Sequence, residues 1–336
     1  MKDVYSMEFI SENDRTSAFS KNDLLIITAG SSYLDIDAYA CAVAMADLLN
    51  LQGANAIAYS QAPCNYSVCS SLTEKSQLLR EIPQDFSEQD ANYIIVDVSD
   101  PVFLKSSVPL NRVVAVYDHH IGFEEYWRKK IGDGVHIEFI GAAATLIYRE
   151  WKKEDLQNKM SRETALLLIA AILDNTLNLT SANTTEEDRT TFRALCAQAG
   201  VGDGFRALYF SEVQNGVEAD LKNALFSDIK NVRDNAVLPP RMAQLCVWNA
   251  DSVLERIDEI RGWFQLQEEP FMINIIDLHR HCSYYVCDDD EYQQLLSRYF
   301  GVSFVSGIAK ASNAYLRKEM IKKTNFKTNG DKKWLN

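Results

Sequence analysis

An apolar run that ends in two adjacent histidines constrains this chain more than any other feature. Residues 113–117 (VVAVY) have the composition of a buried strand and lead directly into Asp118-His119-His120. The chain has only five histidines, so this pair is conspicuous. Three side chains that can bind metals or transfer protons, placed where a strand ends, predict a functional site.

Three more apolar runs lead to acidic residues. The runs are 24–28, 93–96 and 165–173, and the residues that follow them are Asp35 and Asp37, then Asp97, and then Asp174. Carboxylates with one or two imidazoles are typical ligands of divalent cations such as Mg²⁺ and Mn²⁺. The four segments together therefore predict a metal site.

Short β-branched runs alternate with helical patterns in the first half of the chain. This alternation predicts an α/β fold, a doubly wound and mainly parallel sheet with helices on both faces. The strand candidates are 24–29, 54–59, 93–97, 112–117 and 135–140, with a helix over 37–51. In such sheets functional groups lie beyond the carboxyl ends of the strands. Asp174 follows a helix-like run instead, so tertiary packing has to bring it to the site.

At 336 residues the chain is long enough for two domains, at roughly 150 residues each. We expect a metal-binding catalytic domain over 1–200, a connector over 201–226 and a smaller α/β domain over 227–336, with the active site in the cleft between the domains. The elements expected after the connector are strands 243–249 and 271–276 and helices 251–262 and 290–299.

Composition limits the partners. The net charge of −13 argues against general nucleic-acid binding, which needs a basic footprint. It allows a small polyanionic substrate, because bound cations and a few basic side chains can invert the potential of one cleft. The sequence shows no signal peptide and no apolar run of about 18 residues, so we expect a cytoplasmic protein without a membrane partner. The sequence leaves the oligomeric state open.

Each acidic motif also has a structural interpretation. Asp35 can cap a helix, and Asp37 is then a favourable first-turn charge. Asp97 can form a turn, and Asp118 can hydrogen-bond a histidine in a purely structural network. The joint occurrence of the motifs favours the metal site. Two cations about 3.5–4 Å apart, sharing one carboxylate, can polarise a phosphoryl oxygen and activate a water.

The order Asp-x-Asp, Val-Asp, Asp-His-His, Asp resembles the DHH phosphoesterase superfamily. Residues 170–188 are similar to a segment of family II inorganic pyrophosphatases and eukaryotic-type exopolyphosphatases, whose chains end in a DHHA2 domain. Residues 315–318 (YLRK) resemble the terminal Ser-Arg-Lys motif of that domain with the serine replaced, and 228–230 (DIK) resemble its other lysine motif. The resemblance covers nearly the whole chain and is thinner after residue 225.

The resemblance implies specific roles and two divalent cations, Mn²⁺ or Mg²⁺. One metal would be held by Asp37, Asp97, His119 and Asp174, and the second by Asp35 and Asp97. His120 would contact the substrate phosphate or the leaving oxygen, and Asp118 would orient the pair. Lys230, Arg317 and Lys318 would bind the phosphate chain. For Arg317 and Lys318 the alternative is a solvated basic tail.

One position departs from the pyrophosphatase pattern. Pyrophosphatases of this family have a histidine ligand four residues before the first Asp of Asp-x-Asp, where this chain has Ser31. The departure favours an exopolyphosphatase-like hydrolase that releases terminal phosphate from short polyphosphate with a metal-activated water. The alternatives are pyrophosphate or a (cyclic) nucleotide as the substrate, and a catalytically weak binding or scaffold protein.

Overall fold

A computed structural model describes residues 24–30, 33–75, 77–82, 91–104, 108–264 and 269–324. The chain forms two compact units. The first comprises residues 1–179 and 183–209, and the second comprises 180–182 and 210–336. The expectation for Ser31 falls outside the described residues.

The first unit alternates strands and helices, as the sequence predicts. Its elements are β1 (Leu24–Thr28), α1 (Ile36–Leu51), β2 (Asn55–Tyr59), α2 (Ser70–Thr73), β3 (Leu78–Leu79), β4 (Asn92–Val96), β5 (Val113–Asp118), α3 (Glu124–Ile131), β6 (Val135–Ile137), α4 (Ala143–Lys153), α5 (Arg162–Asn175) and α6 (Glu186–Ala199). The strands form one sheet in the order β3-β2-β1-β4-β5-β6. All its described pairings are parallel.

Helices cover both faces of this sheet. Helix α1 packs against α4 and α5. Helix α3 contributes Trp127 to a hydrophobic cluster that also contains Ile26 of β1 and Ile95 of β4. Burial on both faces explains why all five residues of β1 are apolar or buried rather than alternating with exposed polar ones. The predicted doubly wound α/β sheet is confirmed.

Helix α7 (Gly204–Ala219) crosses from the first unit to the second between Tyr209 and Phe210. The second unit continues with α8 (Leu221–Ser227), β7 (Lys230–Asn231), β8 (Arg241–Val247), α9 (Asp251–Glu255), α10 (Ile257–Phe264), β9 (Phe271–Asp277), β10 (Cys282–Val286), α11 (Asp290–Phe300), β11 (Phe304–Val305), β12 (Ile308–Ala311) and α12 (Arg317–Thr324). Its sheet has the order β11-β12-β10-β9-β8-β7. Only β8 and β9 pair in parallel among its described strands.

Two element predictions need correction. The strand expected over 135–140 ends at Ile137, and the amide of the next residue, Glu138, makes the last bond to β5 by donating to the Asp118 carbonyl (3.1 Å). The helix expected over 251–262 is two helices, α9 and α10. Among the described residues, none of the helices combines the length and the apolarity that a membrane span requires.

Candidate metal centre

The centre begins with Asp97, which directly follows β4. Its backbone amide donates to the Tyr117 carbonyl of the neighbouring strand β5 (2.7 Å). Its φ angle is 57°, in the left-handed region that aspartate tolerates better than most residues. Backbone strain of this kind concentrates at functional sites. The turn places the carboxylate beside the end of β5, with only 9% of the residue exposed.

His119 faces Asp97 from the end of β5. Its Nδ1 lies 3.2 Å from the Ile140 carbonyl oxygen, which can only accept, so Nδ1 carries the hydrogen. In the neutral ring Nε2 is then an acceptor, and it lies 3.3 Å from Oδ1 of Asp97. Two buried acceptors at this distance require a proton or a cation between them. A carbonyl that fixes Nδ1 while Nε2 stays available is the usual arrangement of metal-binding histidines.

Asp118 holds the second histidine. Its Oδ1 accepts from the backbone amide of His120 (3.0 Å) and from Nδ1 of the same residue (2.8 Å). Asp118 is fully buried, whereas the His120 side chain is 52% exposed. The His120 ring is therefore oriented with Nε2 left for a substrate or a proton. Asp118 therefore lies where it can orient the His120 ring.

The structure brings four of the expected site residues into one cluster. One ligand atom from each of Asp97, Asp118, His119 and His120 lies within 4.8 Å of the other three. Oδ2 of Asp118 is buried and has no hydrogen-bond partner among the described residues. Carboxylate and imidazole ligand atoms this close together fit a divalent metal of the Mn²⁺ class.

Asp35 and Asp37 lie at the start of α1, where the structural interpretation also places them. Asp35 is the N-cap residue, and its Oδ1 accepts from the Ala38 amide (2.9 Å). Each carboxylate oxygen has two lone pairs, so capping leaves Asp35 able to bind a cation. Helix capping by Asp35 is therefore observed, and it is compatible with metal binding by the same carboxylate.

Asp37 is fully buried at the N-terminus of another helix. Its Oδ2 accepts from Ala143 and its Oδ1 from Ala144, both amides of α4 at 2.8 Å. Burial, and next the charge of Asp35, raise the pKa of Asp37 to about 8 despite these hydrogen bonds. The charges of Asp37, Asp97 and Asp35 also raise the pKa of the neighbouring Cys41 thiol, after burial, the largest cause. The three carboxylates thus lie around one point of α1.

Asp174 reaches the same neighbourhood from the last turn of α5. Burial, followed by the charge of Asp35, raises its pKa to about 7. The Tyr209 hydroxyl lies 3.1 Å from its Oδ1 and opposes that rise. Tertiary packing does bring Asp174 beside Asp35, as its position after a helical run required.

Asp188 is a buried carboxylate that the sequence analysis did not include among the candidate site residues. Its Oδ2 accepts from the Gly141 amide (2.9 Å) and the Thr185 amide (2.7 Å), and its Oδ1 accepts from the Thr145 hydroxyl (2.6 Å). A Cβ on Gly141 would lie 2.6 Å from Asp188, so glycine is needed there. Asp188 therefore fixes the start of α4, the helix whose amides hold Asp37. The capping-box spacing from Thr185 was visible in the sequence, but the bonds to Gly141 and Thr145 were not.

The expected phosphate-binding residues lie in the second unit. Arg317 is the first residue of α12, and its guanidinium forms a two-pronged ion pair with Asp228, with Nη1–Oδ2 and Nη2–Oδ1 distances of 2.9 Å. Nη1 also donates to the Asp228 carbonyl (2.7 Å). Lys230 lies two residues further on, exposed on β7, and Lys318 is half-buried. The Asp228 pair thus joins the two basic motifs within this unit.

No family model matches this chain. Among curated proteins it is similar to a probable manganese-dependent inorganic pyrophosphatase of Listeria monocytogenes, with 23% identity over 304 residues, 85% of this chain and 93% of the relative. A probable manganese-dependent inorganic pyrophosphatase of Lactobacillus acidophilus is 24% identical over 231 residues, 67% of this chain and 71% of the relative. The resemblance to the DHH phosphoesterase superfamily is confirmed.

Solved structures agree on the fold. A candidate family II inorganic pyrophosphatase from Methanococcus jannaschii superposes with a TM-score of 0.60 at 17% identity, covering 89% of this chain and 97% of that one. An exopolyphosphatase-related protein from Bacteroides fragilis gives a TM-score of 0.50 at 14% identity, covering 90% of each chain. At these identities the likeness concerns the fold.

Proposed function

We propose that this chain is a divalent-metal-dependent hydrolase of phosphoanhydride bonds. The observation that carries the proposal is the pair of buried acceptors, Nε2 of His119 and Oδ1 of Asp97, 3.3 Å apart at the carboxyl end of a parallel sheet. The curated relatives, which are named manganese-dependent inorganic pyrophosphatases, support the same chemistry.

The proposed metal ligands are the five residues that the family resemblance implied. Asp37, Asp97, His119 and Asp174 would hold one cation, and Asp35 with Asp97 would hold the other. Bound Mn²⁺ or Mg²⁺ would supply Lewis acidity and a water of lowered pKa. The carboxylates of this chain keep the site anionic, so it selects cations before it can accept a polyanion.

His120 would act as the general acid that protonates the leaving oxygen. Asp118 accepts from Nδ1 of His120, so a proton on Nε2 gives an imidazolium that the buried carboxylate stabilises. That imidazolium can donate to the departing phosphate oxygen, and the neutral ring can bind the next proton. Asp118 orients the ring throughout and needs no contact with the substrate.

Lys230, Arg317 and Lys318 would bind the phosphate chain in the second unit. Lys230 is exposed on β7. Nη1 and Nη2 of Arg317 are already paired with Asp228. A phosphate would therefore bind at the edge of the guanidinium that Asp228 does not occupy. Lysine binds phosphate as a point charge and suits chains of variable length.

The finer proposal is an exopolyphosphatase-like activity on short polyphosphate, a small polyanion of the cytoplasm. Ser31, where pyrophosphatases have histidine, supports it. The names of the curated relatives support pyrophosphate equally. A nucleotide substrate is less favoured, because the aromatic residues that follow Asp118-His119-His120 in sequence belong to the hydrophobic core (Trp127) or pack against it (Phe123 and Tyr126).

A phosphate-release assay tests the proposal. Pyrophosphate, tripolyphosphate, long polyphosphate and a cyclic dinucleotide are compared with Mg²⁺ and with Mn²⁺. We expect the fastest release from tripolyphosphate, and a loss of at least about 10³-fold in Asp97→Ala and His119→Ala. His279→Ala, an exposed histidine of the second unit, is the control and should keep full activity.

Unchanged turnover in both Asp97→Ala and His119→Ala would contradict the mechanism. Faster turnover of pyrophosphate would leave the mechanism in place and correct the substrate. Absence of Mn²⁺ binding in a calorimetric titration of the wild-type protein would instead favour the scaffold alternative.

A further inference from the structure

Tyr209 is a buried tyrosine on α7 that contacts the candidate metal centre. It is not one of the five proposed metal ligands. Only 3% of the residue is exposed. Its hydroxyl lies 3.1 Å from Oδ1 of Asp174 and 3.1 Å from the Ser67 carbonyl oxygen. Asp174 and Ser67 lie far apart in sequence, so the hydroxyl lies between acceptors from two separate segments of the first unit.

The hydrogen-bonding capacity of these groups decides the direction of the bonds. A tyrosine hydroxyl has one hydrogen, and the Ser67 carbonyl can only accept. An ionised carboxylate is the stronger acceptor, so the hydroxyl donates to Asp174 whenever Asp174 is charged. The other carboxylate oxygen, Oδ2, accepts no hydrogen bond from the described residues. Tyr209 thus fixes one oxygen of Asp174 and leaves the other for a cation.

Ser67 connects the same hydroxyl to the Asp-x-Asp segment. The Ser67 hydroxyl oxygen accepts from the amide of Ile36, the residue between Asp35 and Asp37, at 2.9 Å. The loop is held further by Leu34, whose amide donates to Pro63 (2.8 Å) and whose carbonyl accepts from Asn65 (2.8 Å). The position of Tyr209 therefore bears on the segment carrying Asp35 and Asp37 as well as on Asp174.

We propose that Tyr209 is a positioning residue of the metal centre, which orients Asp174 by donating its one hydrogen to Oδ1 of that residue. The inference rests on the proposed metal centre and goes beyond it, because it assigns a role to a residue outside the ligand set. Hydrogen bonds to the carboxylates and imidazoles that bind a metal typically set its affinity by about 10- to 100-fold.

Tyr209→Phe removes the hydroxyl and keeps the ring. We expect the Mn²⁺ dissociation constant, measured by calorimetry without substrate, to rise about 10- to 100-fold. Tyr285→Phe is the matched control. Tyr285 is a fully buried tyrosine of the second unit, and its hydroxyl has no hydrogen-bond partner among the described residues. This control should keep the wild-type affinity for Mn²⁺.

A second experiment separates positioning from a general structural effect. If Tyr209 acts through Asp174, then Tyr209→Phe should change the Mn²⁺ affinity little in an Asp174→Asn background, because the oriented group is already altered. Independent, additive effects of the two changes would overturn the proposal. An unchanged Mn²⁺ affinity in Tyr209→Phe would also overturn the proposal. The same holds if Tyr209→Phe without metal has lost the circular-dichroism spectrum of the folded protein, because the hydroxyl would then have a general structural role.

These readouts are independent of the reaction. A protein that binds Mn²⁺ through Tyr209-supported Asp174 but releases no phosphate would contradict the proposed hydrolase and leave the positioning role intact. A protein that hydrolyses tripolyphosphate while Tyr209→Phe binds Mn²⁺ normally would contradict only the positioning role.

Discussion

The two units present charged clusters of opposite character. In the first unit acceptors face acceptors, since Nε2 of His119 lies 3.3 Å from Oδ1 of Asp97. In the second unit donors face acceptors, since the Arg317 guanidinium lies 2.9 Å from both carboxylate oxygens of Asp228. The first arrangement needs a proton or a cation between its two acceptors, whereas the guanidinium and the carboxylate of the second balance each other.

This difference separates a cluster of like charges from a cluster whose charges are already paired better than composition does. Both clusters are conspicuous in the sequence, one acidic with histidines and the other basic. In the first, burial and a neighbouring carboxylate raise the pKa values of Asp37 and Asp174 to about 8 and about 7, which signals unbalanced negative charge. In the second, a carboxylate of the chain itself occupies the fork of Arg317.

Substitution of His120 separates the roles of the two histidines in the first cluster. His120→Gln should lower the turnover of tripolyphosphate by about 10²- to 10³-fold, because it removes the proton-transferring ring. The Mn²⁺ affinity should change by no more than a few-fold, since His119 keeps its place beside Asp97. Calorimetry and phosphate release measure the two effects. A fall in Mn²⁺ affinity as large as that in His119→Ala would make His120 a metal ligand instead.

Asp188→Asn tests whether the cluster depends on the network behind it. The asparagine side chain has one oxygen that accepts and an NH₂ group that only donates, whereas Asp188 accepts at both oxygens. The bonds from Gly141, Thr185 and Thr145 therefore cannot all survive. We expect the free energy of unfolding to fall by about 2 kcal/mol, measured by urea denaturation. Glu186→Gln, an exposed residue of the same helix, is the control and should change it little. Equal effects of the two substitutions would contradict the inferred role of Asp188.

The pH dependence of metal binding tests the unbalanced charge. Asp37, whose pKa is about 8, binds a proton below pH 8, and Asp174, whose pKa is about 7, binds one below pH 7. Mn²⁺ must displace these protons to bind. From pH 8 to pH 6 the Mn²⁺ dissociation constant should therefore rise by about tenfold or more. Calorimetry in two buffers of different ionisation enthalpy should also show proton release, and its absence would contradict the raised pKa values.

The metal-free protein should show the opposite trend. Because the folded-state pKa values lie above the ordinary carboxyl value, the folded protein binds protons that the unfolded chain does not bind between about pH 8 and pH 4. The free energy of unfolding should consequently rise as the pH falls through this range. Urea denaturation with a chelator at pH 8 and pH 6 measures the change, and a fall in stability at pH 6 would argue against these two carboxyls.

The smallest effect belongs to the second unit. Asp228→Asn weakens the ion pair with Arg317 and should lower the free energy of unfolding by about 1 kcal/mol. Asp234→Asn, an exposed acidic residue of the same unit, serves as the control. Neither change should alter the Mn²⁺ affinity. A shifted Mn²⁺ dissociation constant in Asp228→Asn would break the distinction between the two clusters.

Local pattern was sufficient for the framework of the fold. The apolar runs before Asp97 and Asp118 gave strands β4 and β5 within one residue of their predicted bounds, because parallel strands buried on both faces are apolar throughout. The end of β6 and the break between α9 and α10 were predicted wrongly, since short elements end where long-range packing stops them.

The sequence by itself determined which residues stand at the strand ends and that they are carboxylates and imidazoles, because side-chain type and hydrophobic period are local properties. Only the tertiary structure decided how those groups are held. The amides of α4 reach Asp37 across more than 100 residues, and Tyr209 reaches Asp174 across 35. Hydrogen bonds between such distant residues depend on how helices pack on the sheet, and no spacing along the chain records that geometry.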